Sequence, residues 1–141
     1  MLIRPSFTGT RNHVWSEDPA IDRDSPAFDW VEFLRTGDLA HVPTVEGGKL
    51  TVFKIRPLSR KQFTRVFNLN GLEQLVEAVA YGLREVKDFI LDGQAVELKH
   101  IKVDGEERVS NDSLDRVFEP LLFTELGTRI VELSRLDPRK G

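Results

Sequence analysis

The three histidines are the first residues of this sequence to consider for chemistry. His13, His41 and His100 stand in separate segments of the chain. None has a second histidine at the i+3 or i+4 spacing that places two zinc ligands on one helical face. The chain contains no cysteine, which excludes disulfides, thiolate metal ligands and cysteine nucleophiles. The sequence therefore predicts no metal site.

Paired carboxylates and a glycine-lysine motif are the other groupings that could do chemistry. Glu17-Asp18 and Glu106-Glu107 fall in predicted turns or loops, where solvated carboxylates serve solubility rather than general acid catalysis. Gly47-Gly48-Lys49 lacks the upstream glycine and the following Ser- or Thr-led helix of a phosphate-binding loop. No Gly-x-Ser-x-Gly nucleophile elbow is present. We therefore expect no catalytic residue and no cofactor, and interpret the chain as not an enzyme.

The charge balance and composition limit the class of protein. The 141 residues carry 20 Lys and Arg against 23 Asp and Glu, a formal net charge of -3, so no overall positive field attracts nucleic acid. A hydrophobic content of 40% is typical of a folded chain. No stretch approaches the roughly 18 apolar residues of a membrane helix, and no apolar run of signal-peptide length opens the sequence. We expect a folded cytoplasmic protein that makes no membrane contact.

Residues 1–48 have the composition of an extended arm. Prolines and glycines interrupt them repeatedly, and no helical or strand period is sustained. One short helix is predicted around Trp30, with Ser25 as its cap and Pro26 at its first position. A flexible linker would rarely contain two tryptophans, Trp15 and Trp30. The arm is therefore expected either to dock on a partner subunit or to wrap over its own core.

Residues 49–141 have the patterns of one core domain. The run from Leu50 to Ile55 is rich in β-branched and aromatic residues and predicts a strand. Ser59-Arg60-Lys61-Gln62 has the form of a capping box and predicts that a helix begins there. Asn70 then precedes an apolar stripe at helical spacing that extends to Val86 and predicts a second helix.

Two Asp-Gly pairs predict tight hairpins in the following segment. Asp92-Gly93 and Asp104-Gly105 suit turns in which glycine adopts positive φ. Between them, the apolar residues change parity near His100. The strand there is expected to bulge, to twist or to be covered on both faces.

The C-terminal segment predicts two consecutive helices. Ser110 to Ser113 is rich in capping residues, and Pro120 is expected to restart the helix in its first turn. A wide apolar stripe follows, until Asp137-Pro138 is expected to end the helix. The predicted fold class is α+β, with three to four helices packed on a small antiparallel sheet or hairpin and preceded by the extended N-terminal arm.

Six aromatic and apolar side chains are the candidate partner-binding residues. They are Trp15, Trp30 and Phe33 in the arm and Leu126, Ile130 and Leu133 in the last helix. Aromatic and packed apolar groups dominate interface energies. Because the C-terminal stripe is wider than a two-layer core requires, we expect contacts with other chains, including further copies of this one, to complete its burial.

A basic run supplies the alternative hypothesis. Arg56, Arg60, Lys61 and Arg65 surround Phe63, and a nucleic-acid surface can have this composition. The better interpretation is the solvated face of a short amphipathic helix. A small regulatory or nucleic-acid-binding module remains the alternative function.

Three stretches resemble small tail-region proteins of tailed bacteriophages, in particular the tail assembly chaperone group. They are Phe53 to Phe63, Ala78 to Leu83, and Leu122 to Gly127, and the resemblance covers about Lys49 to Leu136. In that group a short strand reading F-x-(I/L)-R-P-L leads into a Ser- or Thr-capped helix. The C-terminal pattern L-G-x-x-(I/V)-x-x-L-S-x-L is similar to the segment that begins at Leu126.

The resemblance implies a non-catalytic morphogenesis protein that binds other tail or virion proteins, typically the long helical tape measure protein. Helix-in-groove recognition is the physical mode that such binding uses. The implied location is the host cytoplasm during assembly, or the tail of the virion. Residues 1–48 are not part of the family pattern, and an arm of that kind suits a permanent virion component at least as well as a chaperone.

Overall fold

The computed structural model describes residues 9–136, except for the side chain of Leu136. In chain order its elements are β1 (Arg11–Val14), α1 (Trp30–Thr36), a 3-10 turn (Leu39–His41), β2 (Val52–Ile55), α2 (Arg60–Phe67), α3 (Gly71–Gly82), β3 (Leu83–Lys87), β4 (Ile90–Leu91), β5 (Gln94–Ala95), β6 (His100–Val103), β7 (Glu106–Val109), α4 (Asn111–Val117) and α5 (Pro120–Leu136). The predicted α+β class is confirmed. Within the described range, four helices follow residue 48, together with small antiparallel sheets.

A three-stranded antiparallel sheet with the order β1-β2-β3 brings together three stretches that are far apart in sequence. His13 in β1 lies opposite Phe53 in β2, and Phe53 lies opposite Val86 in β3. The register of β2 against β3 shifts between Lys54 and Ile55. The central strand is therefore the one predicted from its β-branched and aromatic composition, while both of its neighbours come from segments not predicted as strands.

Residues 9–48 are packed on the rest of the chain and do not form an extended arm. A second hydrophobic cluster combines Val14 and Phe33 with Leu50 and Val52, so burial crosses the predicted boundary at residue 48. The sequence left two possibilities for this segment, docking on a partner subunit or packing over its own core. The described part of the segment packs over its own core. The first eight residues of the predicted arm lie outside the described range.

The short helix α1 begins later than predicted. Asp29 caps it, because its carboxylate accepts a hydrogen bond from the amide of Glu32 at 3.0 Å. The cap predicted at Ser25 is therefore wrong, and Pro26 lies in the preceding loop. An aspartate at this position can bind the free amides of the first turn, which the Ser-Pro pair four residues earlier cannot reach.

The capping box of α2 is confirmed. The amide of Gln62 donates to the Ser59 hydroxyl at 3.2 Å, and the Ser59 amide donates to the Gln62 side chain at 2.9 Å. The helix predicted next is shorter than expected. It begins at Gly71 without a side-chain bond from Asn70 and ends at Gly82, so the stretch up to Val86 belongs to β3.

Helices α3 and α5 form the centre of the main core and approach closely at two glycines. A Cβ atom on Gly82 would lie 2.5 Å from Cγ2 of Ile130, and one on Gly127 would lie 3.0 Å from Cα of Leu75. No larger residue fits at Gly82 without displacing its neighbour. The two glycines thus set how near α3 lies to α5, and this spacing buries the apolar face of α5.

Both predicted hairpin turns are confirmed. Asp92 and Gly93 have φ of 51° and 76°, and Asp104 and Gly105 have φ of 53° and 81°, as a turn with two left-handed residues requires. The parity change near His100 is neither a bulge nor a covered strand, because the chain leaves the sheet between β5 and β6. Helix α5 begins at Pro120 as predicted, and the expected stop at Asp137-Pro138 lies outside the described residues.

Candidate functional site

Two clefts share the side chain of Trp15. The smaller, which we call the tryptophan cleft, has a volume of about 380 Å³ and lies between the segment after β1, helix α1 and helix α5. Its lining combines two indoles with several charged groups. The indoles belong to Trp15 and Trp30, and the charged groups include Glu17, Glu125, Arg129 and Glu132. Arg129 donates to the main-chain carbonyl of Leu34, and burial lowers its pKa.

The larger cleft, which we call the hairpin groove, has a volume of about 640 Å³. It lies between the β4–β5 hairpin, the junction of α4 and α5, and the loop after Trp15. Ile90 and Phe118 line it and remain 60% and 42% exposed. Phe118 packs edge-on against Phe123, with ring centroids 5.0 Å apart, so the groove wall is fixed to the core. The groove thus presents two large apolar side chains to solvent, and the ring of Phe118 is packed on the core.

A buried polar cluster forms the base of the tryptophan cleft. Nε2 of His13 lies 2.7 Å from Oε2 of Glu125, and the Ser16 amide donates to the same oxygen at 2.9 Å. The Ser16 hydroxyl donates to Oε1 at 2.5 Å. Burial raises the pKa of Glu125, but the hydrogen bonds from His13 and Ser16 outweigh it and leave that pKa below its ordinary value. Glu125 is therefore a carboxylate at neutral pH.

The His13, Ser16 and Glu125 side chains are not arranged as a serine-histidine-carboxylate triad. An ionised carboxylate only accepts hydrogen bonds, so Nε2 of His13 carries a hydrogen and donates a hydrogen bond to Glu125. The Ser16 hydroxyl donates to Glu125 and not to His13, so the histidine does not stand between the serine and the carboxylate as a triad requires. His13 is 2% exposed, and its Nδ1 has no hydrogen-bond partner among residues 9–136. The cluster holds β1 and α5 together.

The six predicted partner-binding residues separate into two groups. Trp15 and Trp30 lie together on the tryptophan cleft, where Trp30 packs against Phe28 with parallel rings. The other four are fully buried and cannot contact a partner in this fold, which corrects the expectation for Phe33, Leu126, Ile130 and Leu133. Phe33 fills the second cluster, and the three α5 residues fill the main core. Among the described residues, the buried part of the C-terminal stripe belongs to the main core, where α3 packs against α5.

Sequence reasoning missed the exposed apolar residues that border the clefts. Ile90 sits in a two-residue strand beside a tight turn, and Phe118 and Leu121 flank the break before α5. Leu121 is 66% exposed and lines the tryptophan cleft. The sequence signal that could have identified these exposed residues is a large apolar side chain next to a turn or helix break. Few neighbouring residues cover a side chain at such a position.

The basic run of the alternative hypothesis is partly neutralised. Arg65 donates to Glu106 at 3.1 Å and to the Tyr81 hydroxyl at 2.6 Å. Arg56 is half-buried, and burial together with the charge of Arg84 lowers its pKa. Arg60 and Lys61 remain exposed on α2. Two free cations on one helical turn are a weak electrostatic surface for a phosphate backbone.

In the part of the chain that the structure describes, no three His, Asp or Glu side chains converge on a possible metal position. Over the same range, none of the helices has the length and apolar character needed to span a membrane. A scan against protein-family models, a search of curated proteins and a search of solved structures each find no match to the chain.

Proposed function

We propose that this chain is a non-enzymatic protein that acts by binding a segment of another protein in the hairpin groove. The supporting observation is the groove itself, about 640 Å³ of mostly apolar wall with the exposed Ile90 and Phe118 at its edge. Both side chains line the same groove, and exposed apolar surface of this kind commonly marks an interaction site. Rigid aromatic anchors of this kind supply most of the energy of protein interfaces.

The polar groups around the hairpin groove favour a protein segment over a small polar ligand. Asp18 is buried and accepts hydrogen bonds from the amides of Ala20 and Thr51. Glu119 accepts from the amide of Leu122, and Lys49 lies 3.3 Å from Asp88. These side chains are already engaged, so few remain to orient a small molecule, which pockets for such ligands require. An apolar helix face has no such need.

The biological setting that we propose is bacteriophage tail morphogenesis. It rests on the resemblance of Phe53–Phe63, Ala78–Leu83 and Leu122–Gly127 to tail assembly chaperones. In that setting the partner is another tail or virion protein, with the helical tape measure protein as the leading candidate, and binding takes place in the host cytoplasm or in the tail. An open, mostly apolar groove is the kind of surface that helix-in-groove recognition uses, which supports the proposal.

Peptide selection tests the binding function without knowledge of the partner. A random peptide library is selected on the full chain, and the affinities of the selected peptides are measured by calorimetry on wild type, Phe118→Asp and Leu72→Asp. Leu72 is 43% exposed and lies outside both clefts, so it is the matched control. We expect amphipathic peptides whose affinity falls at least about tenfold in Phe118→Asp and is unchanged in Leu72→Asp.

Equal binding to wild type and Phe118→Asp, with circular dichroism showing both folded, would refute groove binding. The tail assignment has its own test, which is co-expression with tape measure proteins of tailed phages. We expect at least one of them to stay soluble only with the wild-type chain and to precipitate with Phe118→Asp. If none depends on the chain, the binding function stands and the phage setting is withdrawn.

A further inference from the structure

The tryptophan cleft is large enough to admit one long side chain. Its volume of about 380 Å³ is near the lower end of the range for ligand pockets and is smaller than that of the hairpin groove. Two of its walls are the indoles of Trp15 and Trp30. The face of an indole carries negative partial charge and attracts cations.

The charges that line the tryptophan cleft also favour a cation. Glu17, Glu125 and Glu132 supply three carboxylates to the lining and Arg129 supplies one cation, so these four side chains sum to a charge of minus two. Arg129 is held by the Leu34 carbonyl and lies 4.0 Å from Glu132. Glu125 is occupied by His13 and Ser16, whereas Glu17 and Glu132 are exposed. An incoming cation can reach both carboxylates, although Glu132 is shared with Arg129.

Trp15 connects this cleft to the hairpin groove, because its side chain lines both. Residues at i+3 and i+4 from an apolar anchor lie one turn further along the same helix face, so a helix in the groove can present one of them at Trp15, where the neighbouring cleft begins. One partner segment can therefore reach both sites.

We propose that the tryptophan cleft receives an arginine or lysine side chain of the same partner segment that occupies the hairpin groove. The inference rests on the proposed function and adds the chemistry of the partner, which is an amphipathic segment with a basic residue one helical turn from its apolar anchors. The indole faces and the carboxylates of Glu17 and Glu132 bind the cation.

Small cations test the cleft separately from the groove. N-acetyl-arginine amide is titrated into the full chain, and the indole N–H resonances of Trp15 and Trp30 are followed by NMR, with the neutral isostere N-acetyl-citrulline amide as control. We expect saturable shifts with arginine, none with citrulline, and weaker binding as salt is raised. Glu17→Gln/Glu132→Gln and Trp30→Leu should each reduce the affinity at least about threefold, while Glu73→Gln, an exposed change on α3, should not.

Several outcomes would overturn the inference. Equal shifts with arginine and citrulline would show that the cleft does not select a cation. If selected groove peptides lack a basic residue and bind Glu17→Gln/Glu132→Gln as tightly as wild type, the inference fails while the proposed function stands. If arginine binds in the tryptophan cleft but no peptide binds in the hairpin groove, the proposed function fails. The inference that one partner segment occupies both sites then fails as well. A dimer that disappears in Glu17→Gln/Glu132→Gln would assign the cation to a second copy of the chain.

Discussion

Nε2 of His13 lies 2.7 Å from Oε2 of Glu125, and this hydrogen bond joins the first strand to the last helix across 112 positions of sequence. Ser16 adds two further donors to the same carboxylate. The N-terminal segment, which the sequence predicts to be an arm, is held in the fold by this polar contact as well as by the strand pairing of β1 with β2.

Replacing Glu125 with glutamine tests how much this contact stabilises the fold. The change keeps the shape of the side chain but removes the charge that three donors share. We expect the free energy of unfolding at neutral pH to fall by about 1–3 kcal/mol in Glu125→Gln, as for other hydrogen bonds to a charged group. Urea unfolding measures it, with the exposed Glu132→Gln on the same helix as control. Equal stability of the two variants would mean that strand pairing and the burial of Val14 hold β1 without help from this contact.

The same contact makes part of the stability depend on pH. The pKa of Glu125 is lowered from 4.5 in the folded state, so the unfolded chain binds the proton more readily. This contribution is present above about pH 4.5 and is lost as the pH falls through the lower, folded-state pKa. We expect the stability difference between wild type and Glu125→Gln to shrink below pH 4.5 in urea titrations. A difference that grew in acid would contradict the direction of the shift.

The buried hydroxyl of Ser134 supports the turn before α2. It accepts the amide of Leu58 at 2.8 Å and donates to the carbonyl of Ile130 at 2.7 Å. In Ser134→Ala the Leu58 amide is buried without a partner, and we expect a loss of about 1–3 kcal/mol in unfolding free energy. Thr124→Ala is the control, because the Thr124 hydroxyl makes the same type of bond to Pro120 at an exposed position. Comparable effects of the two changes would argue against the role of the buried amide.

The close approach of α3 and α5 predicts the effect of adding one methyl group. In Gly82→Ala the new atom would lie 2.5 Å from Ile130, so a helix or a side chain must move. Overpacking of this kind costs about 1–3 kcal/mol. The melting temperature of Gly82→Ala should fall clearly, whereas that of Thr128→Ala, exposed on α5, should change little. Unchanged or higher stability of Gly82→Ala would mean that the two helices can separate without loss.

The features predicted correctly from the sequence are those with a local cause. The capping box at Ser59, the Asp-Gly hairpins and the restart at Pro120 each depend on a few adjacent residues. Strand β3 was predicted as helix because Leu83 and Val86 continue the apolar spacing of α3. Leu83 and Val86 adopt strand conformation because their segment pairs with β2, which lies far away in sequence.

The candidate site shows the same division. Trp15 and Trp30 could be identified as candidates from their residue type, and they do lie on one cleft. The sequence could not place Glu125 beside them, because 109 positions separate it from Ser16. An apolar stripe likewise does not show what covers it, which is why Leu126 and Ile130 were expected at an interface while α3 buries them in the core.

Trp15 and Trp30 are the only tryptophans of the chain, and they line the tryptophan cleft together, whereas only Trp15 also reaches the hairpin groove. The tryptophan fluorescence of the unlabelled protein therefore originates entirely from residues that line the two clefts. With Trp30→Phe, the remaining tryptophan emission comes from Trp15, which lines both clefts. The molecule thus carries a built-in optical reporter for whatever occupies either cavity.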